Sequence, residues 1–119
     1  MIDAQLIFPT KVYRSKFEDA QELQKKIVPL FLHKEKNDMS PVRYSANGYT
    51  SYGNDSNVLD IPDLFNLKEF LTDIIMKCHQ EAKLNGVPKL ESSWFSIMRK
   101  HTYHEEHHHM PSVWSGVYY

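Results

Sequence analysis

The first long pattern of apolar and polar residues in the chain has the period of an α-helix. Between Glu18 and Lys36, apolar residues recur three or four positions apart at Ala20, Leu23, Ile27, Leu30 and Phe31. Acidic residues near the start of this stretch and lysines near its end suit the helix dipole. Pro29 removes one intrahelical hydrogen bond, so we expect the helix to kink or to break into two pieces there.

A second helix is predicted from a longer apolar stripe. Its members are Leu67, Phe70, Leu71, Ile74, Ile75, Cys78 and Ala82. Asn66 is the predicted N-cap, and Gly86 followed by Pro88 is the predicted end. Cys78 lies on the stripe and His79 lies beside it, so we interpret both as core residues rather than as a nucleophile and a metal ligand.

The remaining chain favours strands and turns. Alternating residues over 90–99 predict a strand with both faces at least partly covered, and residues 113–119 predict another strand. Residues 6–13 are rich in β-formers but contain a proline, which is typical of an edge or entry strand. Most of the turn-formers lie in 37–63, where we expect a long surface loop with one short strand at 49–51.

Composition limits the class of protein. A chain of 119 residues forms one domain, and 41% hydrophobic residues are enough for a folded core. Fourteen basic against fifteen acidic residues argue against a dedicated nucleic-acid or anionic-membrane binder. No apolar run approaches the roughly 20 residues that span a bilayer, and the single Cys78 agrees with a reducing compartment. We therefore expect a cytoplasmic protein.

Five of the seven histidines lie between His101 and His109, interleaved with Glu105 and Glu106. Imidazoles and carboxylates are ligands that suit iron, zinc, copper or nickel. If the end of this segment is extended, the side chains of His107 and His109 project from the same side, while that of His108 points the opposite way. The spacing therefore predicts His107 and His109 as a pair of metal ligands.

Other interpretations of the conspicuous residues remain open at this point. Clustered histidines on a loop are often solvated and bind metal only incidentally. His33 lies on the first predicted helix, where a structural role is the simpler interpretation. Trp94 and Trp114 are interpreted as core residues rather than as platforms for a cofactor.

The segment His107–Tyr119, HHHMPSVWSGVYY, resembles the signature H-x-H-x-x-S-x-x-S-G-V-Y-Y of a family of 2-oxoglutarate- and Fe(II)-dependent oxygenases. The family occurs in bacteria, phages and marine metagenomes. Three other features are similar to the family pattern in the same order: the segment 6–13, the element Gly48–Ser51 and Trp94 before the histidines. The four matches span nearly the whole chain.

This resemblance implies an α+β fold in which N-terminal helices pack on a partial double-stranded β-helix, a cupin-like jelly roll. Within a single domain 1–119, residues 1–88 would form the N-terminal strand, two helices and the long loop, and 89–119 the first barrel strands with the histidine cluster. His107 and His109 would bind Fe(II), and 2-oxoglutarate would be the co-substrate. The implied reaction is substrate hydroxylation coupled to decarboxylation of 2-oxoglutarate to succinate.

The family takes a third ligand, a histidine, and a basic residue for 2-oxoglutarate from strands further downstream than Tyr119. We therefore expect this chain to correspond to the N-terminal half of such an enzyme, inactive by itself and without the C-terminal half of the barrel. Local substitutes for the third ligand, with zinc or nickel as the metal, are His101, His104, Glu105 and Glu106.

One expectation concerns the oligomeric state. Exposed strand edges and the apolar residues Trp114, Val117, Tyr118 and Tyr119 predict a homo-oligomer, a dimer or larger.

An alternative function is also open. It is a non-catalytic interaction module whose histidines bind a structural metal or none.

Overall fold

The computed structural model describes residues 10–43 and 47–119. Two α-helices and two short antiparallel strands organise the described chain, and two 3₁₀ turns precede the second helix. In chain order they are α1 (Ala20–Asn37), β1 (Tyr49–Thr50), the 3₁₀ turns Val58–Asp60 and Pro62–Leu64, α2 (Phe65–Glu81) and β2 (Ser96–Ile97). The prediction of two helices separated by a long loop is confirmed.

Helix α1 continues through Pro29, so of the two predicted effects of the proline the break into two pieces is wrong, and the kink stays a prediction. Pro29 and Lys25 are both exposed, which places the carbonyl that loses its helical partner on the solvent side. Leu23 and Ile27 are buried on the opposite face. Ile27 before the proline and Phe31 after it both pack against the core, which holds the helix together across the proline, since tertiary contacts supply most of the stability of helices in proteins.

Helix α2 differs from the prediction at both ends. It begins at Phe65 with Leu64 as N-cap, without a capping side chain, so the predicted cap by Asn66 is wrong. It ends at Glu81 and not at Gly86. Lys83 takes the left-handed conformation (φ 54°), and the amides of Lys83 and Leu84 donate to the carbonyls of Gln80 and His79. This pair of bonds satisfies the final carbonyls in the manner of a Schellman motif, with lysine at the position that glycine usually holds.

The two strands pair antiparallel, with Tyr49 opposite Ile97 and Thr50 opposite Ser96. The predicted short strand at 49–51 is confirmed at its first two residues. The predicted strand over 90–99 is reduced to Ser96–Ile97 and an isolated bridge at Ser93. Ser93 forms its hydrogen bonds with the irregular stretch 56–59, so no regular strand ladder extends to it.

Residues 113–119 do not form the predicted strand. A strand requires a hydrogen-bonded neighbour, and this segment pairs with no other strand among the described residues. Its β-forming side chains instead make isolated contacts with the rest of the molecule. Of the predicted entry strand 6–13, residues 6–9 lie outside the described part of the chain, and residues 10–13 have no regular structure.

The core lies between α1, the 3₁₀ turns, the start of α2 and the strand pair. Its buried members are Leu23, Ile27, Tyr49, Val58, Leu64, Leu67 and Phe95. The ring of Phe31 on α1 stacks on that of Phe95 with centroids 4.0 Å apart. Because Phe95 directly precedes β2, this stack fixes the chain that leads to the histidine cluster.

Neither helix in the described ranges is long and apolar enough to cross a membrane.

Candidate metal centre

The chain that enters the candidate site is fixed to the core at Phe95. The Ser51 amide donates to the Phe95 carbonyl (3.0 Å), and the Phe95 amide donates to Ser51 Oγ (3.1 Å). The Ser51 hydroxyl in turn donates to the Asp55 carbonyl (3.0 Å). The side chain of Ser51 is 1% exposed, so these bonds are shielded from water. Ser51 therefore joins the loop after β1 to the backbone that carries Trp94.

A second attachment lies four residues further on, at Arg99. Its guanidinium donates to both oxygens of Glu35 on α1, at 2.6 and 3.0 Å, and to the Asn47 carbonyl. Arg43 also pairs with Glu35 (3.2 Å), whose side chain is only 10% exposed. The hydrogen bonds from Arg99, followed by those from Arg43, lower the pKa of Glu35. This carboxylate therefore binds two separate loops to α1.

Directly after Arg99 the chain makes a tight turn. The amide and hydroxyl of Thr102 both donate to the Arg99 carbonyl (3.0 and 2.6 Å), and the Arg99 amide donates to Thr102 Oγ1 (2.9 Å). His101 has a left-handed backbone (φ 67°) in this turn. The turn sets the direction of the irregular segment that carries the remaining histidines.

The structure brings His107 and His109 together. Their ring centroids are 4.9 Å apart and the rings are nearly perpendicular, at 82°. Nδ1 of His107 lies 2.8 Å from the Glu105 carbonyl oxygen. Because a carbonyl oxygen only accepts, Nδ1 donates this hydrogen bond. Nε2 is therefore the nitrogen of His107 through which the ring would bind a metal.

His104 extends the cluster on the other side of His107, with ring centroids 5.4 Å apart. The pKa of His104 is lowered by burial and by the neighbouring charge of His107. A neutral imidazole is the form that binds metals. Even so, no group of three or more histidine, cysteine, aspartate or glutamate side chains could hold a metal within residues 10–43 and 47–119. His101, Glu105 and Glu106 are exposed on the same segment.

The segment that follows the histidines contacts helix α2 through Trp114. The indole Nε1 donates to Nδ1 of His79 (3.2 Å), and Nε2 of His79 lies 3.2 Å from the Asn85 carbonyl oxygen. Both ring nitrogens of this buried histidine are therefore engaged. The interpretation of His79 and Cys78 as core residues is confirmed, since each is 7% exposed.

Two contacts at the site were not predicted. The ion pair between Glu35 and Arg99 joins residues 64 positions apart, and nothing in their local patterns signals it. The ring of Trp94 is half-buried and faces His109 at a centroid distance of 5.5 Å. Alternation over 90–99 placed Trp94 on a covered face, but the identity of its neighbour depends on how the chain turns back after Arg99.

The donors present fit part of a metal centre. Two neighbouring imidazoles, one of them oriented by a backbone carbonyl, suit iron, zinc or nickel. Comparisons of this chain with protein-family models, curated proteins and solved structures find no match. The candidate centre is therefore inferred from the positions of its own side chains.

Proposed function

We propose that this chain is the N-terminal part of a 2-oxoglutarate- and Fe(II)-dependent oxygenase in which His107 and His109 supply two iron ligands. The observation that carries the proposal is the adjacency of the two imidazoles in a segment without regular secondary structure. Extended backbone would place the two side chains on the same side of the chain, but it would not fix the distance between their rings. Here they lie 4.9 Å apart, a separation compatible with binding one ion.

The described residues have distinct roles in this proposal. The Glu105 carbonyl orients His107 by accepting a hydrogen bond from Nδ1, so Nε2 would be the ligand atom. The ion pair of Arg99 with Glu35 and the turn at Thr102 hold the preceding chain on the core. Bound Fe(II) with 2-oxoglutarate would supply the oxidising chemistry, in which dioxygen gives one oxygen atom to the hydroxylated substrate and the other to succinate, and carbon dioxide is released. The third ligand and the basic partner of 2-oxoglutarate would come from additional chain.

The fold proposed with this function is a jelly roll of which β1 and β2 form a small part. The family resemblance implies this fold, and the paired residues of β1 and β2, which are 46 and 48 positions apart, would belong to neighbouring strands of the barrel. Additional strands would then pair with the exposed backbone of the segment after β2.

Metal binding by the chain tests the ligand pair. We expect His107→Ala and His109→Ala each to weaken the binding of Fe²⁺, measured anaerobically by equilibrium dialysis. His108→Ala is the matched control, because His108 is an exposed histidine of the same segment. Equal loss in all three variants would indicate incidental binding by solvated histidines and contradict the proposal.

Turnover tests the reaction. We expect negligible succinate production from 2-oxoglutarate by the 119-residue chain, and activity once a C-terminal barrel half is joined to it. Succinate production by the 119-residue chain that survives the double substitution His107→Ala and His109→Ala would show the assignment to be wrong.

A second candidate function is a non-catalytic module that associates with another copy of the chain. The observation that favours it is a row of largely exposed apolar side chains after the histidines, namely Met110, Val113, Val117 and Tyr119. One tightly bound zinc per chain, unaffected by 2-oxoglutarate, would support this module. A dimer or larger species in sedimentation is expected in either case, and a monomer at micromolar concentration would contradict the association.

A further inference from the structure

The two candidate ligands are held in different ways. His107 is oriented by a hydrogen bond from Nδ1 to the Glu105 carbonyl. His109 has ring contacts with His107 and Trp94, and no hydrogen bond to its ring occurs among the described residues. Metal-binding histidines almost always have a partner on the second nitrogen that fixes the ring orientation. His109 therefore needs another means of orientation.

We propose that Trp94 is a positioning residue that orients His109 for metal binding by packing against its imidazole. This inference rests on the proposed function of the histidine pair. The rings of Trp94 and His109 are 5.5 Å apart and inclined by 37°, which is within the range of favourable aromatic contacts. The contact restricts rotation of the imidazole, and the nearby indole limits the access of water to that side of His109.

A positioning residue must itself be fixed, and Trp94 satisfies this condition. The next residue, Phe95, is buried and bonded through its backbone to Ser51, which is almost completely buried. The ring of Tyr52 meets the indole edge-on at a centroid distance of 4.9 Å. Trp94 is thus held from the backbone side by the core and from the ring side by Tyr52.

This arrangement connects two parts of the chain that are far apart in sequence. Tyr52 follows β1, Trp94 precedes β2, and His109 lies in the segment after β2. A substitution in the loop after β1 would therefore change the orientation of His109 through the ring contacts of Tyr52 with Trp94 and of Trp94 with His109. Residues that never touch the metal would thereby change how well it binds.

The test compares Co²⁺ affinities, measured by calorimetry and by the visible absorbance of bound Co²⁺. We expect Trp94→Leu to weaken binding by about 10- to 100-fold, the usual effect of losing an outer partner of a ligand. Trp94→Phe keeps an aromatic ring and should restore most of the affinity. The matched control is Trp114→Leu, because Trp114 is the other half-buried tryptophan and contacts His79 and Tyr13 instead.

A second readout needs no metal. The ring-current field of the indole shifts the NMR signal of the His109 ring proton at Cε1, and Trp94→Leu should move that signal while the His107 signal stays nearly constant. If Trp94→Leu does not fold, Tyr52→Ala replaces it. That variant removes the support of the indole at an exposed position and should weaken Co²⁺ binding to a smaller extent.

The outcomes separate this inference from the function on which it rests. Co²⁺ binding that is the same in the wild-type chain and the His107→Ala, His109→Ala double variant would contradict the proposed function. Histidine-dependent binding that is unchanged in folded Trp94→Leu, or in Tyr52→Ala where that variant replaces it, would overturn the positioning role alone. Equal weakening by Trp94→Leu and Trp94→Phe would also overturn it, and so would an unmoved His109 signal.

Discussion

Residues 17–97 and residues 98–119 are built in different ways. The first region contains both helices, both strands and the whole buried core, and its loops are closed by hydrogen bonds between distant backbone groups. In the second region no helix or strand forms. Its described contacts with the first region are made by a few side chains, chiefly Arg99, His109, Trp114 and Tyr118.

The difference shows where a binding site can depend on individual side chains. In the first region, the buried residues pack against one another in a common core, so the loss of one contact is shared. In the second, His107 and His109 are held by two ring contacts each and, for His107, by a hydrogen bond to the Glu105 carbonyl. Substitutions should therefore affect stability most in the first region and ligand geometry most in the second.

The largest expected effect is on the core. Phe95→Ala removes a buried ring that stacks on Phe31 and touches Tyr49, and it should lower the free energy of unfolding by about 3–5 kcal/mol. Val117→Ala is the counterpart in the second region, where the largely exposed valine should change stability by less than about 0.5 kcal/mol. Urea denaturation measures both. Similar losses in the two variants would contradict the contrast between the regions.

Ser51→Ala should have the next largest effect. It leaves the Phe95 amide and the Asp55 carbonyl without the hydroxyl that each uses, at a cost of about 1–3 kcal/mol. Ser115→Ala, at an exposed serine of the second region, is the control and should be neutral. A thermal unfolding series shows the difference. A neutral Ser51→Ala would mean that water replaces the hydroxyl at this position.

Glu35→Gln tests an attachment between the regions. It weakens the bonds to Arg99 and Arg43, and because both arginine side chains are about 40% exposed we expect a loss of about 1–2 kcal/mol in the free energy of unfolding at neutral pH. The folded state lowers the pKa of Glu35. The ionised Glu35 carboxylate therefore stabilises the folded state fully above its pKa in the unfolded chain, which is about 4.3. This stabilisation is lost as the pH falls through the lower pKa of the folded state.

The difference in unfolding free energy between wild type and Glu35→Gln should accordingly shrink on acidification to below pH 4. Denaturation at several pH values measures it. Glu22→Gln, at an exposed glutamate on the same helix, is the control and should have little effect at any pH. A difference that does not depend on pH would contradict the role of the ionised carboxylate.

A smaller effect is expected at the contact with α2. Trp114→Phe keeps an aromatic ring but loses the hydrogen bond to His79, which should cost about 1 kcal/mol. Hydrogen exchange followed by mass spectrometry should show faster exchange of amides in 112–119 and unchanged exchange in α1. Unchanged exchange in both segments would indicate that packing alone holds the second region on α2.

The smallest expected change has the opposite sign. The hydroxyl of Tyr118 is buried without a hydrogen-bond partner among the described residues, and the ring packs near Phe17. Tyr118→Phe removes the unsatisfied group, so stability should stay constant or rise by up to about 1 kcal/mol. A clear loss of stability would show that the hydroxyl is bonded in solution.

The sequence predicts the parts of this molecule that depend on local periodicity. Both helices follow their apolar stripes, and the short strand predicted at 49–51 forms at Tyr49 and Thr50. Both predicted ends of α2 are wrong, and its C-terminal end was misplaced because Lys83 adopts a conformation for which glycine is the usual signal. The strand expected at 113–119 does not form, since strand formation depends on a neighbour that local sequence does not reveal.

In the candidate site, too, the features that depend on local sequence were predicted and those that depend on distant neighbours were not. The two-residue repeat of side-chain direction and the H-x-H resemblance both point to His107 and His109, and the structure brings these rings together. The roles of Glu105, Trp94 and Glu35 could not be predicted in this way. They depend on backbone carbonyl positions and on contacts between residues up to 64 positions apart.

His79 differs from the other six histidines in one respect that affects any count of reactive imidazoles. It is buried, with Trp114 donating to one ring nitrogen and the other nitrogen facing the Asn85 carbonyl. An acylating reagent that attacks unprotonated imidazole nitrogen should therefore spare His79 in the native chain and modify it only after denaturation. Modification of His79, the seventh histidine, would therefore show that the segment around Trp114 has detached from it, independently of any metal.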